Sequence, residues 1–267
     1  MEYVKLGNLK VSRFILGSNP FSGFSHQGVE RDREMVRFYT AARIKEVLQV
    51  AEGLGITAMI GRCDHHVMRL LGEYWDEGGK IQWLAQTCPG VGPTEFCVRE
   101  AMGGGAKACH VHGGVMDFLV AQGKADEAKR GIELLHEHDL PAGVAGHQPR
   151  VFEWAEKNLK ADYYMCSYYN PSPRDDNPEH VHGFNEQYLE EDRQAMLKTI
   201  KGLTKPVIHY KVLGAGRNKP DDAFRVVAAN TRPGDMVCVG VMHGDDPGQL
   251  EENVRLFEKH CCKRGNI

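Results

Sequence analysis

Ala108-Cys109-His110-Val111-His112 is a short apolar run, a helical pattern follows over Ala125–His136, and Gly143-Val144-Ala145-Gly146-His147 repeats the run. That unit, strand then helix then strand, recurs along the whole chain. The candidate strands are Phe14–Gly17, Thr57–Gly61, Gln82–Thr87, Ala108–His112, Gly143–His147, Tyr163–Ser167, Val207–Lys211 and Val237–Val241. Helical spacing of apolar residues marks Ala41–Leu54, Thr94–Met102, Val151–Asn158, Asn185–Gly202, Asp221–Ala229 and Pro247–His260. Thr94 and Asp221 can cap helix starts, and Gly55 and Gly202 can close helix ends. Strands alternating with helices argue for parallel β/α units. Eight units in 267 residues are the arithmetic of a closed (β/α)8 barrel. The first residues read as a β-hairpin turned at Gly7-Asn8, suited to close the barrel floor. We expect one domain over residues 1–267.

Composition narrows the function classes. Lys plus Arg is 33 and Asp plus Glu is 36, a net charge of −3. That balance offers no attraction to nucleic acid or to an anionic membrane. No apolar run approaches the roughly 20 residues that span a bilayer, and Met1–Lys5 does not read as a signal peptide. Eight cysteines occur without a C-x-x-C pair, which removes the main support for zinc-ribbon and thioredoxin readings. A cytoplasmic protein acting on a small molecule is the expectation.

In a (β/α)8 barrel, side chains at the carboxyl ends of strands converge on one mouth. His65, His66, His110, His112, His147, His209 and His243 all fall at or just beyond such ends. Strand alternation places His110 and His112 on one face, and His209 and Lys211 together on another strand's face. Turned inward, the imidazoles could hold Zn²⁺, Fe²⁺, Ni²⁺ or Mn²⁺. The expected ligands are His65, His112, His147 and His209, with Asp64 in reserve. Lys211 and Tyr169 are the expected acid/base groups, and His110 a substrate contact or a support behind the ligands. Asp64 can equally pair with Arg62, and any one histidine can be a hydrogen-bonded core residue. The irregular stretch Asn170–Phe184 follows the sixth strand, on the face where it could act as a lid, and His180 and His182 are expected to be exposed.

Several segments resemble the aldo-keto reductase family. Val4–Ser12 with Leu16-Gly17 is similar to its floor hairpin and first strand. Ala51–Ile56, Leu70–Glu73, Tyr169-Asn170-Pro171, Leu213–Gly216 and Gln249–Asn253 are similar to segments spread over the rest of that barrel. The resemblance implies a (β/α)8 fold and an NADP-dependent carbonyl reductase with an Asp, Tyr, Lys and His tetrad. Carried over residue by residue, the His falls on His112. The Asp falls near Ile60, the Tyr near His65, the Lys near Thr87, and the amide-binding Gln near Cys166. The stretch matching the family's phosphate-binding basic residues is Met242–Asp246, where Asp245 and Asp246 would repel a phosphate. This speaks against NADP. The expected function is therefore a metal-dependent lyase, hydratase or isomerase. It would abstract a proton beside a carbonyl on a small polyhydroxylated or keto-sugar-like substrate, in a mouth lined by Asn19, Arg62, Gln86 and Asn170. The alternatives are a divergent NADP-dependent reductase with His65 as proton donor, a non-catalytic binding subunit with a relic pocket, and a Schiff base at Lys211.

Overall fold

Gly7, at φ +58°, turns the chain between β1 (Tyr3–Leu6) and β2 (Leu9–Ser12), an antiparallel pair. Leu6 and Val11 from this hairpin are fully buried and join the cluster inside the barrel, so the hairpin plugs the floor as its alternation requires. The computed structural model of the chain describes residues 1–180 and 186–262.

Eight parallel strands then close on themselves in sequence order. They are β3 (Phe14–Gly17), β4 (Ala58–Arg62), β5 (Gln82–Gln86), β6 (Ala108–Val111), β7 (Ala142–Gly146), β8 (Tyr163–Ser167), β9 (Val207–Tyr210) and β10 (Met236–Val239), and β10 pairs back onto β3. The fold is the (β/α)8 barrel that the alternation predicts. Ten helices accompany the strands among the described residues: α1 (Val29–Phe38), α2 (Ala41–Gly53), α3 (His65–Asp76), α4 (Thr94–Gly103), α5 (Gly113–Ala121), α6 (Lys129–Glu137), α7 (Pro149–Asn158), α8 (Glu190–Gly202), α9 (Pro220–Asn230) and α10 (Gln249–Cys261).

Three of these helices, α1, α3 and α5, escape the sequence reading. In α3, Asp64 is the N-cap and accepts from the Val67 amide at 3.0 Å. Val67, Leu70, Leu71 and Tyr74 form the buried stripe, so His65 and His66 belong to a helix rather than to a strand end. The sequence of α5 is apolar nearly throughout and has no amphipathic period to read. Thr94 caps nothing: Pro93 takes that place in α4. Gly55, at φ +80°, follows α2 as expected.

Two apolar layers hold the barrel. Ile15, Leu84, Ala108, Tyr163, Ile208 and Met236 fill its interior. Phe14, Trp83, Val144, Phe152, Phe224 and Phe257 lie between the strands and the helices. This division fixes which alternate residues of each strand reach the mouth.

Candidate active site

Two clefts open at the carboxyl ends of the strands and share Asn19, His26, Arg62, Gln86, Tyr210 and Lys211. The first, of about 1150 Å³, extends past Gly17, Leu213, Gly216, Val241 and Gln249. The second, of about 1090 Å³, extends past Thr87, His112, His147, Arg174 and His180.

Lys211 sits where the clefts meet. It follows the last residue of β9 and adopts φ +56°. A lysine in the left-handed region is strained, and this bend breaks the strand's alternation. Lys211 thereby lines the mouth although its neighbour by parity, His209, does not. Its Nζ lies 2.9 Å from His26 Nε2. His26 is itself left-handed, at φ +58°, and its Nδ1 lies 2.8 and 2.9 Å from the two Glu186 carboxylate oxygens. Burial, then the Lys211 charge, push His26 down to about 3. It is therefore a neutral imidazole that donates from Nδ1 to Glu186 and accepts at Nε2 from Lys211. Burial also lowers Lys211 to about 8, against the pull of Glu186 and with help from Arg174 and Arg217. Ala215, at φ +53°, is a third strained residue on the first cleft. Strain gathered at one rim marks a site whose geometry matters.

Across the mouth, His147 Nδ1 lies 2.7 Å from the buried Asp117 carboxylate, which also accepts from the His147 amide at 3.0 Å. That fixes the tautomer: Nδ1 carries the proton, and Nε2 faces the Tyr210 hydroxyl at 3.2 Å. Gly113 makes the arrangement possible, because a Cβ there would stand 3.0 Å from the His147 ring and 3.1 Å from the Tyr210 hydroxyl. His112 lines the second cleft, and its Nδ1 is buried without a partner among the described residues. Burial, then the charges of His147 and Arg174, hold His112 well below its ordinary value.

The expected metal ligands do not meet. His112 and His147 share the second cleft. His65 is the first residue of α3, its side chain 90% exposed and 3.7 Å from Glu100. Asp64 is occupied as the cap of α3 and as the partner of Arg62 Nε at 3.0 Å. His209 points outward, beneath the helices. Ile208 and Tyr210 are the inward pair of β9, and His209 lies between Tyr168 (3.1 Å) and Asp235 (3.4 Å). Among the described residues, the one His/Glu cluster close enough to share an ion is His26, His180 and Glu186. There both His26 nitrogens are already taken, by Glu186 and Lys211.

Of the expected catalytic residues, Lys211 alone lines the clefts. Tyr169 is buried behind the mouth, where its hydroxyl accepts from Asn218 Nδ2 at 2.8 Å. His110 lies fully buried inside the barrel, 3.2 Å from the Tyr163 hydroxyl and 3.4 Å from Gln86 Oε1. Asn170 lines neither cleft, while Asn19, Arg62 and Gln86 line both. The described part of the expected lid, residues 170–180, folds over the second cleft through Arg174, Glu179 and His180. His180 is half-buried there rather than exposed, and His182 lies outside the described residues. His26, Asp117, Arg174, Glu186 and Tyr210 went unread. Of these, Asp117 carried a signal, as a lone carboxylate within an apolar run.

Solved structures share this barrel. The proposed aldo-keto reductase PA4992 of Pseudomonas aeruginosa is 18% identical, with 97% of this chain and 95% of that chain covered at a TM-score of 0.64. The holo form of aldo-keto reductase AKR11C1 from Bacillus halodurans is 12% identical over 97% and 91%, at 0.63. A Gox0644 mutant in complex with NADPH is 12% identical over 96% and 88%, at 0.58. No family model and no curated protein matches the sequence. The chain thus carries the barrel of the aldo-keto reductases in a divergent form. The expectation of a metal-dependent lyase, hydratase or isomerase is corrected on two grounds. Solved structures with a similar barrel are of aldo-keto reductases, and another holds NADPH; the imidazoles expected to hold a metal do not come together. No helix among the described residues is long and apolar enough to cross a membrane.

Proposed function

We propose that the protein is a nicotinamide-dependent oxidoreductase that interconverts a small carbonyl compound and its alcohol, with Lys211 as the acid/base group. The observation that carries this reading is the junction of two clefts at Lys211, on a barrel otherwise known with NADPH bound. The first cleft offers a dinucleotide both apolar and polar walls. Ile60, Met165, Leu213 and Val239 offer apolar surface for flat rings, and Asn19, Gln27 and Arg31 offer polar contacts. Asp245, which the sequence sets against a phosphate, is tied to Arg31. Asp246 accepts from the Gly248 amide at 2.9 Å and closes a turn. The Asp245 charge is thus paired, and Asp246 lines neither cleft.

When bound, the nicotinamide supplies or receives the hydride. Lys211 gives a proton to the carbonyl oxygen in reduction and takes it back in oxidation. An amine held near 8 suits both directions. His26 and Glu186 position its ammonium. This replaces the His65 of the sequence alternative, which stands on the surface.

Titration of the purified protein with NADPH, read by quenching of protein fluorescence, tests the reading. Saturable quenching is the expected result. No binding up to about 1 mM, the upper end of ordinary enzyme affinities, overturns it.

A further inference from the structure

Arg174 is 6% exposed and lines the second cleft. Its guanidinium donates to the Glu179 carbonyl and lies 3.4 Å from His180 Nδ1. No carboxylate touches it among the described residues. A buried cation without an anion is costly, and proteins keep such groups paired or use them. Burial lowers even this guanidinium below its ordinary value, and its charge in turn depresses His112, His147 and Lys211. Glu186 and Asp117 lie near enough to oppose that drop, but Glu186 is bound to His26 and Asp117 to His147, and neither touches Arg174.

Two further features point the same way. α5 starts inside this cleft at Gly113, with no side-chain cap on its first amides, and a helix start favours an anion. His112, the residue before it, has a buried Nδ1 with no partner among the described residues. A Cβ on Gly114 would meet the Pro178 carbonyl at 2.5 Å, so the loop that carries Arg174 packs directly on this helix start. A guanidinium and a helix start on one cleft wall, with the His112 ring beside them, suit an anion.

We propose that the second cleft binds an anionic oxygen group, a carboxylate or a phosphate, on Arg174 and the start of α5. The substrate is then a carbonyl compound bearing such a group, with its reacting oxygen toward Lys211. This rests on the oxidoreductase reading for the carbonyl, but the anion site stands on the geometry above.

The test is calorimetric titration of the unmodified protein with glyoxylate, with inorganic phosphate and with acetaldehyde as the uncharged control. Glyoxylate or phosphate is expected to bind at least about tenfold more tightly than acetaldehyde, as charge-assisted hydrogen bonds imply, and to weaken as chloride rises. The stronger of the two anions identifies the headgroup. Arg174→Met is expected to lose about 10- to 100-fold in anion affinity, and Arg174→Lys to recover part of it, with NADPH quenching unchanged in both. Equal binding of the charged and uncharged probes by the unmodified protein overturns the proposal, whether or not the variants fold. Anion affinity retained in a folded Arg174→Met also overturns it. Anion binding without NADPH binding keeps the anion site and removes the oxidoreductase reading.

Discussion

The barrel carries two chains of the same chemistry. At the mouth, Tyr210 faces His147, which faces Asp117. In the outer layer, Tyr168 faces His209, which faces Asp235. All three residues of the outer chain are buried, and Asp235 also takes hydrogen bonds from the Val207 amide at 2.9 Å and from Arg232 Nε at 3.0 Å. Every donor there has its acceptor, and nothing faces a cleft. At the mouth, Asp117 binds His147 alone among the described residues, and the chain ends on a hydroxyl shared by both clefts. A buried Tyr, His and Asp in sequence is therefore no mark of a site. What separates the two is whether the last group is open to a ligand.

The largest way to sharpen that contrast is Lys211→Met, beside the mouth chain. Loss of a positioned acid/base group costs about 10²- to 10⁴-fold in turnover, measured as NADPH consumption with a carbonyl panel. In the unmodified protein the reductive rate is expected to fall as pH rises through about 8, because Lys211 then loses the proton it must give. A profile flat from pH 7 to 9 breaks the assignment.

The outer chain should respond in stability instead. Asp235→Ala leaves Arg232 and His209 buried without their carboxylate, at a cost of about 3–5 kcal/mol, read as a lower urea midpoint. The sign of the pH effect follows from the carboxyl itself. Burial raises its pKa, but hydrogen bonds from His209 and Arg232 outweigh that and hold Asp235 at about 2. The unfolded chain, near 3.9, takes up protons first as pH falls. The native state then loses about 2.5 kcal/mol between about pH 5 and pH 1. Asp235→Ala should abolish this part of the acid loss.

A smaller test exchanges the two phenols. Tyr210→Phe removes a hydroxyl that faces the clefts, and should change substrate KM or turnover while costing under about 1 kcal/mol in stability. Tyr168→Phe should do the reverse: about 1 kcal/mol lost to denaturant, with kinetics unchanged. Equal kinetic effects from both would erase the distinction between mouth and outer layer.

These contrasts also show what the sequence could convey. The barrel was legible because apolar runs of strand length alternate with helical patterns, and the floor hairpin because Gly7-Asn8 separates two short strands. Orientation was harder. Ile208 and Tyr210 are as apolar as a helix-facing pair, yet they fill the barrel interior, so alternation alone sent His209 the wrong way. The left-handed turn at Lys211 then reversed the parity, and no pattern of residue types announces it. The rest of the mouth comes from outside the strands. His26 and Arg174 sit in loops, and Asp117 lies within a helix whose apolar sequence has no period. Their convergence is tertiary, and strand-end counting cannot reach it.

The smallest expected effect is the one that tests histidine count as a guide. His65→Ala alters the residue that both the metal reading and the reductase alternative placed in the chemistry. Its side chain is almost wholly in solvent, at the start of α3, with Glu100 3.7 Å away. The helix start is held by Asp64, which the substitution leaves in place. Stability should move by no more than about 0.5 kcal/mol, and NADPH quenching and turnover should match the unmodified protein. A clear loss of turnover in His65→Ala would mean that α3 turns this imidazole into the mouth during the reaction. The boundary drawn here between working and supporting histidines would then have to move.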